Sequence, residues 1–138
     1  MSKVVKFGGS SLADAKQFRK VADIIHADPE RKYVVPSAPG KRFKEDTKVT
    51  DMLYRCYDEV AVQGKDFTEA FAPIRERYNG IISDLGLTLN LDEEFAKIGE
   101  NFKAAVGSDY AASRGEYLNG IVLANYLGFE FIDAARAI

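Results

Sequence analysis

Apolar residues recur along this chain at two different spacings, and the switch between them marks out its elements. A short β-rich run, Val4–Phe7, gives way after Gly8-Gly9-Ser10-Ser11 to Leu12, Ala15, Phe18, Val21, Ala22 and Ile25, the three- and four-residue steps of an amphipathic helix. Asp28-Pro29-Glu30 breaks that period, and Lys32–Val35 reads as a second, buried strand. The strand–helix–strand order predicts a parallel pair joined by a right-handed crossover. Pro36 removes a ladder donor and marks an edge or exit point. Ser37-Ala38-Pro39-Gly40 is then a turn at the same carboxyl end of the sheet as Gly8-Gly9, where open α/β sheets take their ligands.

The second half reads as helical. Val49, Met52, Leu53, Cys56 and Val60 form one stripe, closed by Gly64. Asp66-x-x-Glu69 opens another helix in capping-box style, with Phe67, Ala70, Phe71, Ile74, Tyr78, Ile81, Ile82 and Leu85 inward and Gly86 as its stop. Pro73 is expected to kink it. A third pattern follows Asn90, with Phe95, Ile98, Phe102 and Val106 facing inward. Gly107-Ser108-Asp109 caps a fourth that runs to about Tyr126 and ends at Gly128. Phe129–Ile132 reads as a third strand, in one sheet with Val4–Phe7 and Lys32–Val35. The expected fold is α/β, a mainly parallel sheet with flanking helices. A parallel sheet needs both faces covered. Three strands followed by a new segment at Asp133 read as the incomplete N-terminal portion of a longer chain.

Composition narrows the setting without naming a chemistry. The 138 residues suit one domain with a real core, 46% hydrophobic and 29% charged. A formal net charge of -2 gives no electrostatic reason to expect nucleic acid or an anionic membrane as partner. One cysteine, Cys56, cannot close an internal disulfide, so a reducing, cytoplasmic setting is expected. No apolar run approaches the length of a membrane span.

Candidate chemistry gathers at the strand ends. A strand, a glycine turn and a helix in sequence bring backbone N–H groups to a helix N-terminus, which favours an anion. Lys6 adds a cation at the last turn of the strand, and Ser11 is placed to cap the helix, with Asp14 three residues on. The lysine precedes the glycines, so this is neither a Walker loop nor a dinucleotide fingerprint. On the bare residues, Gly8-Gly9 serves equally as a tight turn, Ser37 as a turn stabiliser and Thr50 as an N-cap. Glu116 is more telling, because Gly115 and Gly120 flank it in a helix where each glycine costs up to about 1 kcal/mol. Close approach to a ligand or another element accounts for that cost. Residues 41–48, four basic and two acidic side chains without an apolar period, read as a solvated loop or a lid at the mouth of a site. Cys56 belongs to the core, and His26 to the surface near the first helix's end.

The string Val4-x-Lys6-Phe7-Gly8-Gly9-Ser10-Ser11-Leu12 resembles the N-terminal signature of the aspartate kinases, within the amino acid kinase family. Val34-Val35-Pro36-Ser37-Ala38, Thr50-Asp51-Met52-Leu53 and Ser113-Arg114-Gly115-Glu116 resemble three further family strings, in the family's order. Pro36, Pro39 and the long charged loop from Pro39 to Val49 depart from it. The resemblance implies transfer of the ATP γ-phosphoryl group to the β-carboxylate of L-aspartate, giving 4-phospho-L-aspartate on the way to lysine, threonine and methionine. It implies that Lys6 is the catalytic cation over the transferring group, and that Gly8, Gly9 and Ser10 donate to the phosphate. It also implies that Ser37 and Thr50 offer hydroxyls to aspartate while Glu116 accepts from its ammonium. ATP would bring Mg²⁺ on its phosphates, with no protein metal site, and the nucleophile belongs to the substrate. The resemblance further implies that residues 1–138 are the substrate-side part of a kinase domain. The nucleotide-binding half and regulatory domains would lie outside it, the segment alone would be inactive, and the full-length protein would be a homo-oligomer. Other readings are a relative acting on glutamate, acetylglutamate, carbamate or a nucleoside monophosphate, or a non-catalytic amino-acid-binding or assembly module.

Overall fold

The fold is taken from a computed structural model, which describes residues 2–133. Strand β1 (Lys3–Phe7) leads through a 3₁₀ turn (Gly9–Leu12) into helix α1 (Ala15–His26), and strand β2 (Arg31–Pro36) returns parallel to β1. The pairs Val5–Val34, Lys6–Val35 and Phe7–Pro36 set the register. Val5, Phe7 and Val34 turn toward the helices, and Val4, Tyr33 and Val35 remain exposed on the opposite face. The first two predicted strands and the crossover helix form as the two apolar periods dictate, but β2 is not the buried strand expected. Val34 alone of its apolar run turns toward the helices, and no described element covers the face that carries Tyr33, 58% exposed, and Val35, 45% exposed.

Four helices complete the described residues: α2 (Val49–Tyr57), extended by a π turn (Asp58–Val62), α3 (Phe67–Asp84), α4 (Asp92–Lys103) and α5 (Ser108–Leu127). The Asp66 carboxylate accepts the Glu69 N–H at the start of α3. Gly128, at φ 73°, ends α5 in the left-handed region that suits glycine. Phe67, Phe71, Phe95 and Phe102 pack edge-on or stacked between α3 and α4, with ring centroids 4.8–5.8 Å apart. Cys56 is buried on α2, its thiol pushed up to about 12 by desolvation first and the nearby Glu59 second.

Five further expectations need correction. Phe129–Ile132 forms no strand, and among the described residues the sheet has two strands, β1 and β2. A groove of about 310 Å³ separates this segment from Lys32–Pro36. Phe131 instead packs edge-on against Tyr117 at 5.5 Å and fills the space left by Gly120 on α5. An apolar run becomes a strand only when a ladder partner satisfies its backbone, and here Phe131 packs on α5 instead. Ser11 does not cap the first helix: it lies within the 3₁₀ turn, and the Asp14 carboxylate caps α1 by accepting from Gln17 N–H at 3.0 Å. Helix α3 runs unbroken through exposed Pro73, because its buried stripe continues on both sides of it. Val106 lies beyond α4 and is 49% exposed. Thr50 is not a cap either, since α2 begins at Val49 with Lys48 in the cap position. Of the segment that begins at Asp133, residues 134–138 lie outside the described part.

Candidate active site at the carboxyl ends of the strands

The two loops that leave β1 and β2 are bonded to each other. Ser37 N–H donates to Phe7 C=O at 3.0 Å, and Gly40 N–H donates to Gly9 C=O at 2.8 Å. A side chain on either glycine has no room: a Cβ on Gly40 would lie 2.6 Å from Gly9 C, and one on Gly9 would lie 3.0 Å from Ala38 O. The missing side chain of Gly9 is thus needed for loop-on-loop packing, whereas Gly8 faces open space. Gly9 and Ser10 begin the 3₁₀ turn, where no preceding turn accepts from their amides. Leu12, fully buried, pins the other end of that turn. Lys6 sits three residues before Gly9, on the exposed face of β1.

Helices α2 and α5 meet the second loop at one point. A Cβ on Gly115 would lie 2.6 Å from Ala38 Cβ, 3.2 Å from Leu53 Cδ1 and 3.6 Å from Val49 Cγ1. Gly115, Ala38 and Val49 each adjoin a predicted site position in sequence: Glu116 follows Gly115, Ser37 precedes Ala38, and Thr50 follows Val49. One packing contact therefore brings Ser37, Thr50 and Glu116 into the same neighbourhood, beside the loop carrying Gly8, Gly9 and Ser10. Glu116 is exposed, and Ser37 and Thr50 are half-buried. The approach implied by Gly115 is thus to another element of the protein, and Gly120 has the same reason in Phe131.

Three residues that hold this arrangement carry no motif. Asn119, fully buried one turn beyond Glu116, donates from Nδ2 to Ser37 C=O at 2.7 Å. Tyr78, fully buried on α3, donates its hydroxyl to Gly115 C=O at 2.8 Å, and burial pushes its phenol well above the ordinary range. Its neighbour Arg77 is buried as well and donates to the carbonyls of Ala13 (3.0 Å), Thr47 (3.2 Å) and Gly40. The signal for both Arg77 and Asn119 is a polar residue at an apolar-stripe position. Arg77 falls three after Ile74 and four before Ile81, and Asn119 three before Val122.

The charged loop is more ordered than its composition implies. Arg42 makes a two-pronged contact with Asp46, Nε to Oδ2 at 2.6 Å and Nη2 to Oδ1 at 2.9 Å, and Asp46 also accepts from Arg42 N–H at 3.0 Å. These bonds, the Arg42 guanidinium foremost, hold the Asp46 carboxyl well below the usual carboxylate range. Desolvation lowers Arg77 below the ordinary arginine value, and nearby Arg42 adds to that. Asp46 Oδ2 lies 3.7 Å from Arg77 Nη1 and opposes the shift.

Comparison with known proteins bears on this geometry. The profile of the amino acid kinase family matches residues 1–136. Aspartokinase 3 of Bacillus subtilis (strain 168) is 38% identical over 96% of this chain, which spans 30% of that relative's length. The crystal structure of Clostridium acetobutylicum aspartate kinase superposes with a TM-score of 0.90 at 52% identity, covering 96% of this chain and 30% of that one. E. coli aspartokinase III, solved in complex with aspartate and ADP, matches with a TM-score of 0.70 at 24% identity over 93% of this chain and 29% of its own, a likeness of fold.

Proposed function

The chain belongs to the amino acid kinase family, and from that premise we propose that it supplies the aspartate-binding and phosphoryl-transfer residues of an aspartate kinase. The observation that carries the proposal is the contact of Gly115 with Ala38 and Val49, which sets Ser37, Thr50 and Glu116 beside the glycine turn. Two hydroxyls and a carboxylate suit a zwitterionic amino acid: the hydroxyls donate to its carboxylates, and Glu116 accepts from its ammonium. The β-carboxylate of aspartate is the nucleophile, so the protein's task is to align it with the γ-phosphoryl group of ATP and to stabilise the charge that spreads over the transferring oxygens. Gly8, Gly9 and Ser10 offer amides and a hydroxyl to those oxygens. Lys6 adds a full positive charge that matters most when negative charge peaks in the transition state.

These donors include one carboxylate and no carboxylate pair, a set suited to Mg²⁺ arriving on the ATP phosphates rather than in a protein cage. Mg²⁺ there would neutralise phosphate charge. The chain spans 30% of its curated relative, and the remaining walls of the nucleotide site are assigned to sequence outside these residues, in a cytoplasmic homo-oligomer.

The test is to replace the matching 30% of Bacillus subtilis Aspartokinase 3 with this chain and to trap acyl phosphate as hydroxamate, with L-aspartate, L-glutamate and carbamate as acceptors. Turnover with aspartate alone is expected. A chimera that turns over glutamate or carbamate in preference would move the assignment to another branch of the family.

A further inference from the structure

We infer that Arg77 is a positioning residue for phosphoryl transfer, acting as a clasp that holds the glycine turn, the second-strand loop and the start of α2 in one register. The inference rests on the kinase reading of that site. Arg77 reaches three segments far from it in sequence. It bonds Ala13 C=O at the end of the 3₁₀ turn, Gly40 C=O in the second loop, and Thr47 C=O just ahead of α2. Gly40 in turn donates to Gly9 C=O, so Arg77 lies one residue removed from the proposed phosphate-binding backbone. On the other side Val49 N–H donates to Pro39 C=O at 3.0 Å, tying the same loop to the turn of α2 that carries Thr50.

The chemistry of the side chain fits this role and no contact with substrate. Arg77 is 6% exposed; its two terminal nitrogens, Nη1 and Nη2, donate to backbone carbonyls, while Nε is buried without a hydrogen-bond partner among the described residues. A planar guanidinium donates in several fixed directions at once, which an ammonium on a flexible stem cannot reproduce. Asp46, 3.7 Å from Nη1, partly balances the buried charge and is itself held by Arg42. The charged loop is thereby fastened to the clasp. Tyr78, the next residue, bonds Gly115 C=O on α5. Consecutive residues of α3 therefore grip both sides of the site, Arg77 the two loops and Tyr78 the helix that carries Glu116.

Two measurements on Arg77→Met and Arg77→Lys test the inference. In the 138-residue chain, amide hydrogen exchange of Arg77→Met should quicken about tenfold or more at Ser11, Ser37, Gly40 and Val49, with α4 unchanged, as local opening requires. Arg77→Lys, which keeps a buried cation and stays the safer variant if Met prevents folding, should show a smaller effect at the same amides. Exchange that is unaltered there, or that rises uniformly through α4, overturns the clasp. In the chimeric kinase, Arg77→Met should lower kcat by ~100-fold, the effect of roughly 1 Å of misalignment, with the KM for ATP nearly unchanged and partial recovery in Arg77→Lys. Normal kcat with loosened loops overturns the positioning role. If the chimera carrying the parent segment makes no acyl phosphate, the kinase reading fails, and with it the catalytic part of the inference. Exchange alone then decides whether the clasp exists.

Discussion

Gly115→Ala is the most direct probe of the contact on which the site is built. The added Cβ would lie 2.6 Å from Ala38 Cβ, whereas carbon atoms settle at roughly 3.5–4.0 Å, so about 1 Å must be opened. Ala38 has no side-chain torsion with which to yield. Its loop is held on both sides, by Asn119 on Ser37 C=O at 2.7 Å and by Val49 N–H on Pro39 C=O at 3.0 Å. Overpacking of this kind costs about 1–3 kcal/mol. Replacing a mid-helix glycine by alanine returns up to about 1 kcal/mol of helix propensity. The net expectation is a loss of ~1–2 kcal/mol.

Gly80 in α3 supplies the control, because a Cβ there meets nothing within 4 Å. Gly80→Ala should therefore stabilise by about 0.4–1 kcal/mol through the unfolded state and helix propensity. Urea unfolding of the chain followed by circular dichroism reads both. With an m-value of about 2 kcal/mol/M, the midpoint should fall by ~0.5–1 M for Gly115→Ala and rise for Gly80→Ala. The double variant Gly115→Ala/Ala38→Gly should recover about 1 kcal/mol relative to additivity, since one methyl makes room for the other. Equal stabilisation by both alanines, or strict additivity in the double variant, would show that α5 does not rest on the 37–40 loop.

Three more outcomes follow from the same geometry. In the chimeric kinase, Lys6→Ala should depress kcat far more than it raises the KM for aspartate, by about 3 kcal/mol in barrier height for a donor aimed at transition-state charge; near-normal turnover with a raised KM would make Lys6 a binding residue. Glu116→Gln should weaken aspartate by roughly ten- to a hundredfold, the worth of one charge-assisted hydrogen bond of about 1.5–3 kcal/mol, and leave ATP nearly unchanged; equal weakening of both ligands with a lower Tm would make Glu116 structural. The Asp46 carboxyl is held below its ordinary value of 3.8 in the folded chain, so its contribution is present above about pH 4 and is lost as pH falls through the folded value. Urea midpoints of parent and Asp46→Asn should accordingly converge below about pH 4, and a constant gap down to pH 2 would remove Asp46 from the acid response.

What the sequence made legible is what local periodicity encodes, and what it hid depends on packing between distant segments. The apolar periods of β1, α1 and β2 and the stops at Gly64, Gly86 and Gly128 are each set by neighbours within a few residues. Phe129–Ile132 shares the apolar content of a strand, but its backbone has no ladder partner among the described residues, and Phe131 is drawn to the gap at Gly120. Gly115 was readable as a close approach, though not what approached: the partner, Ala38, is 77 residues away by numbering and bears no mark of the contact. Arg77 and Asn119 were visible only as polar interruptions of apolar stripes. Such an interruption signals a buried polar group in need of partners, and in both cases the partners are carbonyls of the loops that form the site. The residues proposed to touch substrate thus stand in short motifs, whereas those that set their spacing are scattered. A motif search finds the first kind, and only a burial argument finds the second.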